Sequence, residues 1–171
     1  MGGAKYVDSK EASSWDEASE LLIERCMKPN SKFQGGEDFR RKNIWTLPID
    51  DLFRANIEPL KKIYNMYAKG LKRHLDLDDC IAICANLGNV SQLQITEAYS
   101  FSKITIIDEM NHKERYDKML LVEFLDFICR IADFKYREEN NITFLEKVER
   151  IIDLLFKQID AKRRKPNYEI Q

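Results

Sequence analysis

The sequence contains few of the residues that interrupt regular structure, with six glycines and four prolines among 171 residues. Folds built from many short strands need a turn every few residues, and glycine and proline supply most of those turns. Their scarcity argues against a β-sandwich or a β-barrel. The remaining composition, 44% hydrophobic and 33% charged, suits a folded helical protein with a charged surface rather than a disordered chain.

Long apolar segments and an excess of charge of one sign are also missing. No apolar run approaches the ~20 residues that a membrane-spanning helix requires, and the first residues lack the apolar stretch of a secretory signal. The 28 basic and 29 acidic residues leave a formal net charge of −1, so no overall field attracts nucleic acid or an anionic membrane. We therefore expect a soluble, cytoplasmic protein without a membrane span or a nucleic-acid partner.

Residues that commonly carry catalysis are scarce as well. The two histidines, His74 and His112, lie in charged segments, and a zinc site would need about four closely spaced ligands. The four cysteines, at positions 26, 80, 84 and 129, fall within apolar helical patterns and are expected to be reduced and buried. The sequence has no glycine-rich phosphate loop and no nucleophile beside a base. We expect a non-catalytic protein with no cofactor.

Apolar residues recur at helical spacing along most of the chain, which predicts an all-α protein. Ser14 and Glu17 have the spacing of a capping box, and Pro29 marks the end of the helix that they begin. The polar stretch 30–43 is predicted to be a linker, and an irregular apolar patch follows it. We predict four segments: a flexible leader (1–13), an N-terminal helix and linker arm (14–56), a pair of helix–loop–helix units (57–137), and a C-terminal amphipathic helix with a basic tail (138–171).

Capping residues divide the central segment into its two units. Asn56 is expected to cap the first helix, with Pro59 in its first turn, and Asp76 to cap the second. Gly88 supplies a left-handed stop after the second helix, and Ser91 opens the third. A long polar loop then precedes the fourth helix.

The last predicted helix has a wide apolar stripe and a basic end. Thr143 and Glu146 repeat the capping-box spacing at its start. The run at residues 162–165 (KRRK) at its end suits the negative end of the helix dipole. The sequence leaves three interpretations of this run open: a solvated helix end, a localisation signal, or a contact with an acidic surface such as the tails of tubulin.

The second helix–loop–helix unit contains the residues that carry a family resemblance. Residues 119–125 (MLLVEFL) resemble the part of an EF-hand in which the loop forms a short strand and enters the exiting helix. In that alignment Met119 takes the eighth position of the loop and Glu123 the twelfth, and an aromatic residue and a leucine follow as in the family. The chain thus resembles a paired EF-hand protein over roughly residues 57–136.

The ligand positions of both loops depart from the EF-hand pattern. A calcium-binding loop needs oxygen ligands at positions one, three and five, a glycine at six and a bidentate glutamate at twelve. In the second loop these positions hold His112, Glu114, Tyr116, Asp117 and Glu123. In the first loop, with Leu75 at eight, they hold Ala68, Gly70, Lys72, Arg73 and Asp79. The resemblance therefore implies a pair that does not bind calcium in the family's usual mode.

The acidic residues of the second loop allow one irregular cation site as an alternative. Its candidate ligands are Asp108, Glu114, Asp117 and Glu123. A hard cation needs six or more converging oxygens, so a solvated acidic loop without a metal is the favoured interpretation.

A calcium-free pair of this kind implies a structural or adaptor protein that holds a partner helix in a fixed groove. Residues 102–109 (SKITIIDE), together with residues 123–125, resemble small proteins of cilia and flagella, which implies a cytoskeletal or axonemal assembly with tubulin or other axonemal proteins as partners. The alternatives are a calcium-responsive sensor with one irregular site and a regulatory subunit of an enzyme. The inner aromatic residues fit either the core or the lining of a groove. The residues expected to contact a partner are Trp45, Leu52, Phe53, Tyr99, Phe101, Phe124, Phe127, Lys162, Arg163 and Arg164.

Overall fold

The structure is a computed structural model, which describes residues 36–68, 73–104 and 108–164 and the isolated positions 14, 17 and 19. At residues 36, 109, 110 and 159–164 it describes the backbone alone. The chain divides into two compact units, Met1–Phe39 and Arg40–Gln171. In the first unit the Glu17 N–H donates to Ser14 Oγ at 3.2 Å, as the predicted capping box requires, and a single helical turn, α1, spans Gly36–Phe39. The predicted leader (1–13) and the region around Pro29 lie outside the described residues.

The second unit is built of helices, which confirms the all-α prediction. A π-helical turn (Arg40–Ile44) is followed by α2 (Leu47–Tyr67), α3 (Leu77–Cys84), α4 (Gln92–Ser102), α5 (Glu109–His112), a 3-10 turn (Lys113–Asp117), α6 (Leu121–Lys135) and α7 (Phe144–Arg164). The only β-type pairing among the described residues is a single bridge between Leu75 and Met119. No helix in the described ranges combines the length and the apolar character that crossing a membrane requires.

The first helix of the central segment is longer than the sequence suggested. It begins at Leu47 rather than at Asn56, so the expected boundary between residues 56 and 57 falls inside α2. The Asn56 side chain does not cap a helix; its amide donates to the Leu52 carbonyl at 2.9 Å. Pro59 lies within the helix because the buried stripe of Ile49, Phe53, Leu60, Ile63 and Tyr64 continues across it. Burial of that stripe outweighs the one backbone hydrogen bond that proline cannot donate.

Three other helix starts agree with the sequence. Reciprocal capping boxes join Asp76 to Asp79 at α3 and Ser91 to Gln94 at α4. At α7 the Thr143 N–H donates to a Glu146 carboxylate oxygen at 2.6 Å, and the Glu146 N–H donates to Thr143 Oγ1 at 3.3 Å. Gly88 has a φ of 61°, the left-handed backbone predicted for the stop between α3 and α4. Each capping box needs only two residues three positions apart, and the stop needs a single glycine, so these features can be predicted from the sequence.

Arg40 lies within the predicted linker (30–43), but its side chain is largely buried. The Arg40 Nε donates to Asp126 Oδ2 at 2.5 Å, and its Nη2 donates to the Phe101 and Lys103 carbonyls at 3.0 and 2.9 Å. Asp126 Oδ1 also accepts from Arg130 Nε at 2.7 Å. The last carbonyls of a helix lack intrahelical partners, so Arg40 is held at the end of α4 by groups that need a donor.

The core lies around α6, which packs against α2, α4 and α7. Phe124 and Phe127 are 0% and 1% exposed, and their ring centroids lie 6.4 Å apart. The Tyr64 ring of α2 lies 5.8 Å from that of Phe124. These aromatic residues therefore belong to the chain's own core, which answers the question of core or groove left open by their spacing.

Candidate functional site

The bridge between Leu75 and Met119 joins the loop before α3 to the loop before α6. The Leu75 N–H donates to the Met119 carbonyl at 3.0 Å, and the Met119 N–H donates to the Leu75 carbonyl at 2.7 Å. Both side chains are completely buried. The hydroxyl of Tyr64 lies 2.9 Å from the Met119 carbonyl and 3.0 Å from that of Arg73, so its proton supports the same junction. The bridge sets the starts of α3 and α6 side by side.

Glu123 stands in the first turn of α6, immediately beyond this bridge, and its carboxylate is occupied by the backbone. Its Oε2 accepts from the Leu120 N–H at 2.8 Å, which caps the helix, and its Oε1 accepts from the Ile104 N–H at 2.9 Å. The side chain is 6% exposed. Glu123 therefore ties Ile104, the second residue after α4, to the start of α6. We call Lys103, Ile104, Leu120 and Glu123 the Glu123 cluster.

Lys103 supplies the positive charge of this cluster. Its ammonium lies 3.8 Å from Glu123 Oε2 and 4.2 Å from the centroid of the Tyr99 ring, which attracts a cation. The side chain is 6% exposed, and no described group accepts a hydrogen bond from its Nζ. Burial lowers the pKa of Lys103, because desolvation disfavours the charged amine, and the nearby Glu123, Cys80 and Asp117 partly oppose that shift.

The first loop contains a carboxylate in an equivalent place. Asp79 stands in the first turn of α3, and its Oδ2 accepts from the Asp76 N–H at 3.1 Å. The Asp79 N–H in turn donates to Asp76 Oδ1 at 2.9 Å. The two residues aligned with position twelve of an EF-hand loop, Asp79 and Glu123, thus both cap the helix on which they stand. A carboxylate engaged in this way presents fewer free lone pairs to a metal ion.

The predicted cation ligands are not brought together. Asp108, Glu114 and Asp117 are exposed, whereas Glu123 is buried. Asp108 caps α5 by accepting from the Asn111 N–H at 3.2 Å. Glu114 Oε1 lies 3.8 Å from Nδ1 of His112. Within the ranges that the structure describes, no group of three or more His, Cys, Asp or Glu side chains converges as a metal site requires.

The connection between α4 and α6 is longer than a twelve-residue EF-hand loop. It extends from Lys103 to Leu120 and includes α5 and a 3-10 turn. His112, which takes position one when the loop is counted back from Glu123, therefore lies within this connection and does not follow α4. Lys103 is the residue that directly follows the helix. The sequence gives no signal for this because the loop register assumes a loop of standard length.

The predicted partner-binding residues occupy different environments. Trp45, two residues before α2, is 63% exposed, and Leu47, the first residue of α2, is 72% exposed. Leu52 and Phe101 are half-buried, and Phe53, Tyr99, Phe124 and Phe127 are buried. Helix α7 extends through Lys162, Arg163 and Arg164, but the side chains of those residues lie outside the described part of the chain. Of the described aromatic residues in this set, Trp45 is the one with most of its surface free.

Sequence reasoning did not identify the exposed apolar side chains around Glu123. Ile104 is 50% exposed, Leu120 43% and Val122 59%. The backbone N–H groups of Ile104 and Leu120 bind the same carboxylate, so these two residues flank Glu123. Val122 precedes Glu123 on α6, and the sequence gives no signal of its exposure because residues 119–122 (MLLV) are all apolar.

The thiols of the second unit are buried and free, as predicted. Cys80, Cys84 and Cys129 form no disulfide, and the sulfur of Cys80 lies 3.7 Å from that of Met119. Burial raises the pKa of Cys84 to about 12 and raises those of the other two thiols as well. A thiol that keeps its proton is a poor nucleophile and a poor metal ligand. Cys26 lies outside the described residues.

Comparison of the chain with protein-family models, with curated proteins and with solved structures finds no match. The contacts around Glu123 and the Leu75–Met119 bridge are therefore the basis for a functional proposal. Together they form a buried, hydrogen-bonded junction of the loop before α3, the end of α4 and the start of α6.

Proposed function

We propose that this protein is a non-catalytic adaptor that binds partner proteins through a calcium-independent, EF-hand-like pair of helix–loop–helix units. The observation that carries the proposal is the state of Glu123. Both of its carboxylate oxygens accept backbone N–H groups, and the ammonium of Lys103 lies 3.8 Å away. Glu123 therefore connects α4 to α6 through the chain's own groups, which is the connection that a bound calcium ion provides in a loop of this family.

The Leu75–Met119 bridge supports the interpretation as a pair. The alignment with the EF-hand pattern assigns both residues to the eighth position of their loops, the position of the short strand. A two-way backbone pairing between these residues, at 3.0 and 2.7 Å, is the contact expected where two such loops lie antiparallel. Their pairing favours this register for both helix–loop–helix units.

We propose that the partner binds the exposed apolar side chains of Trp45, just before α2, and Leu47, the first residue of α2. Trp45 and Leu47 are large, exposed and close together in the sequence. Exposed tryptophan at an interface gives a large contact area and a polar N–H, and such residues often dominate binding energy. We propose that a helix of the partner packs against these residues. Because residues 102–109 resemble small ciliary proteins, we propose that the partner belongs to a cytoskeletal or axonemal assembly, with tubulin as one candidate.

A calcium titration tests the first part of the proposal. We expect the melting temperature and the tryptophan fluorescence of the full chain to stay constant from about 0.1 μM to about 1 mM calcium, a range that covers sensor EF-hands. Ionic strength is held constant with sodium chloride so that screening does not imitate binding. A rise in melting temperature in the micromolar range would indicate a ligand bound by the folded state and would favour the calcium-sensor alternative.

Affinity capture with surface variants tests the second part. The full chain is presented to cytoskeletal and soluble fractions with calcium or with a chelator, and bound proteins are identified by mass spectrometry. We expect one cytoskeletal partner under both conditions, and we expect its recovery to fall sharply when Trp45→Ser and Leu47→Ser are combined. Leu93→Ser is the matched control, because Leu93 is 69% exposed on α4. Recovery of a soluble enzyme alone would contradict the adaptor proposal.

A further inference from the structure

The ammonium of Lys103 lies in a place where its charge is costly. Its side chain is 6% exposed, and no described residue accepts a hydrogen bond from its Nζ. Transfer of an ammonium group out of water costs several kcal/mol unless an opposite charge and hydrogen bonds compensate. The compensation present is the Glu123 carboxylate at 3.8 Å and the face of the Tyr99 ring at 4.2 Å. A lysine in such a site requires a reason beyond stability, because apolar packing would cost less.

The backbone around Lys103 fixes its position. Its carbonyl accepts from Arg40 Nη2 at 2.9 Å, and the next N–H, that of Ile104, donates to Glu123 Oε1. Lys103 directly follows α4, and Glu123 stands in the first turn of α6. The two charges therefore face each other across the point where the entering helix ends and the exiting helix begins. In an EF-hand loop the ligands of these two places meet at the metal ion.

We propose that Lys103 is a built-in cation that occupies the place of a divalent ion in the second helix–loop–helix unit and thereby makes that unit insensitive to calcium. The inference rests on the proposed function, since it explains how an EF-hand-like unit can be held in one state without a metal. The ammonium neutralises Glu123, and the covalent attachment of Lys103 to α4 keeps that charge in place at every calcium concentration. Among the described residues, Glu123 on α6, Cys80 on α3 and Asp117 in the 3-10 turn act electrostatically on Lys103, and the Tyr99 ring on α4 lies against its ammonium.

A charge reversal at Lys103 tests this role. Lys103→Glu places a second carboxylate opposite Glu123, and two close carboxylates repel each other unless a cation lies between them. We expect this variant to melt at a lower temperature than the wild type in a chelator and to regain several degrees as calcium is added at constant ionic strength. Lys113→Glu is the control, because Lys113 is an exposed lysine of the same loop and its replacement should produce no calcium response.

Failure of the inference and failure of the proposed function give different results. The role of Lys103 as a built-in cation is overturned if Lys103→Glu responds to calcium no more than the wild type does, or if Lys113→Glu responds equally. Either outcome is compatible with a wild type that does not respond to calcium, so the proposed function would stand. A rise in the melting temperature of the wild type with calcium contradicts the proposed function. The inference is tested by a different quantity, which is the calcium-dependent rise in melting temperature of Lys103→Glu beyond that of the wild type. If Lys103→Glu is unfolded in the chelator, calcium is expected to restore its helical circular dichroism, and failure to do so also overturns the inference.

A double-mutant comparison provides a second measurement that does not depend on calcium. Lys103→Met leaves the Glu123 carboxylate buried without a countercharge, and Glu123→Gln leaves the ammonium in the same condition. Each single variant is expected to lower the melting temperature, and the double variant is expected to lose much less than the sum of the two losses. Additive losses would show that the two charges do not compensate each other and would overturn the inference.

Discussion

Leu75 and Met119 exchange two backbone hydrogen bonds, of 3.0 and 2.7 Å, although one lies in the loop before α3 and the other in the loop before α6. Both side chains are fully buried beneath the bridge. The pairing satisfies four backbone groups that would otherwise be buried in loops without partners. It also holds Glu123, four residues after Met119, close to the end of α4. The bridge and the Glu123 cluster together form one continuous junction of the loop before α3, the end of α4 and the start of α6.

The hydroxyl of Tyr64 should contribute to this junction, and that of Tyr99 should not. The Tyr64 hydroxyl lies within 3.0 Å of two carbonyls, whereas the buried Tyr99 hydroxyl has no partner among the described residues. We expect Tyr64→Phe to lower the free energy of unfolding by about 1 kcal/mol. Tyr99→Phe removes an unsatisfied polar group and should leave stability unchanged or increase it. Chemical denaturation of both variants checks the difference, and equal losses would contradict it.

The buried aromatic residues of α6 should behave as core residues. Phe124 and Phe127 are 0% and 1% exposed, so replacement of either by alanine removes apolar contacts and leaves a cavity. We expect each replacement to cost about 3–5 kcal/mol of unfolding free energy. Val122→Ala on the same helix is the control, because Val122 is 59% exposed and its loss should be small. A small loss in Phe124→Ala together with failed partner binding would instead assign that residue to a groove.

Two arginine–aspartate pairs, one buried and one exposed, should differ in their contribution to stability. Arg40 binds Asp126 and two helix-end carbonyls with its side chain only 15% exposed, whereas Arg54 binds Asp50 with its side chain 76% exposed. We expect Arg40→Met to cost about 3 kcal/mol because it leaves buried acceptors without a donor. Arg54→Met, the same change at the surface, should cost less than about 1 kcal/mol. Urea denaturation at neutral pH compares the two variants.

Alkaline pH should destabilise the fold through its buried acids. Burial raises the pKa of the Cys84 thiol from 9.0 to about 12, and it raises the pKa of the Tyr64 hydroxyl from 10.0 to about 12. A group with a raised pKa keeps its proton in the folded chain after the unfolded chain has lost it. The stability it confers is therefore complete below the ordinary pKa and is lost as pH rises through the folded value. We expect the free energy of unfolding to fall between pH 9.0 and about 12.

Thiol labelling provides an independent measurement of the same burial. A Cys26→Ser variant retains only Cys80, Cys84 and Cys129, all of which are buried. We expect a thiol reagent at mildly alkaline pH to label these residues only as fast as the chain opens, and to label all three at once in denaturant. Rapid labelling of the folded variant would contradict the burial on which the pH prediction depends.

Local features of the fold could be predicted from the sequence because they depend on residues close together in the chain. The caps at Asp76, Ser91 and Thr143 each require a partner three residues later, and the structure contains all three. Apolar periodicity likewise identified the all-α class. The start of α2 was predicted wrongly because Asn56 and Pro59 are local helix-start signals, and the buried stripe from Ile49 to Tyr64 overrode them.

The contacts around Glu123 join residues far apart in the chain, and capping and periodicity rules cannot predict such contacts. Glu123 was recognised as a notable carboxylate, but its neighbour Lys103 was not, since the chain between them is longer than the loop that the pattern assumes. Arg40 was placed in a polar linker, although it binds Asp126 at a separation of 86 residues. A sequence rich in charged residues offers many possible pairs of this kind. Packing around α6 selects among them.

The helical class, the capped starts of three helices and the burial of Cys80, Cys84 and Cys129 follow from the sequence, because periodicity and capping are local properties. The pairing of Leu75 with Met119 and the contact between Glu123 and Lys103 come from the packing of the helices. A buried charge or backbone group takes the partner that packing brings within reach, since leaving it unpaired costs more than any local preference supplies. The same packing gives Glu123 a cation from its own chain.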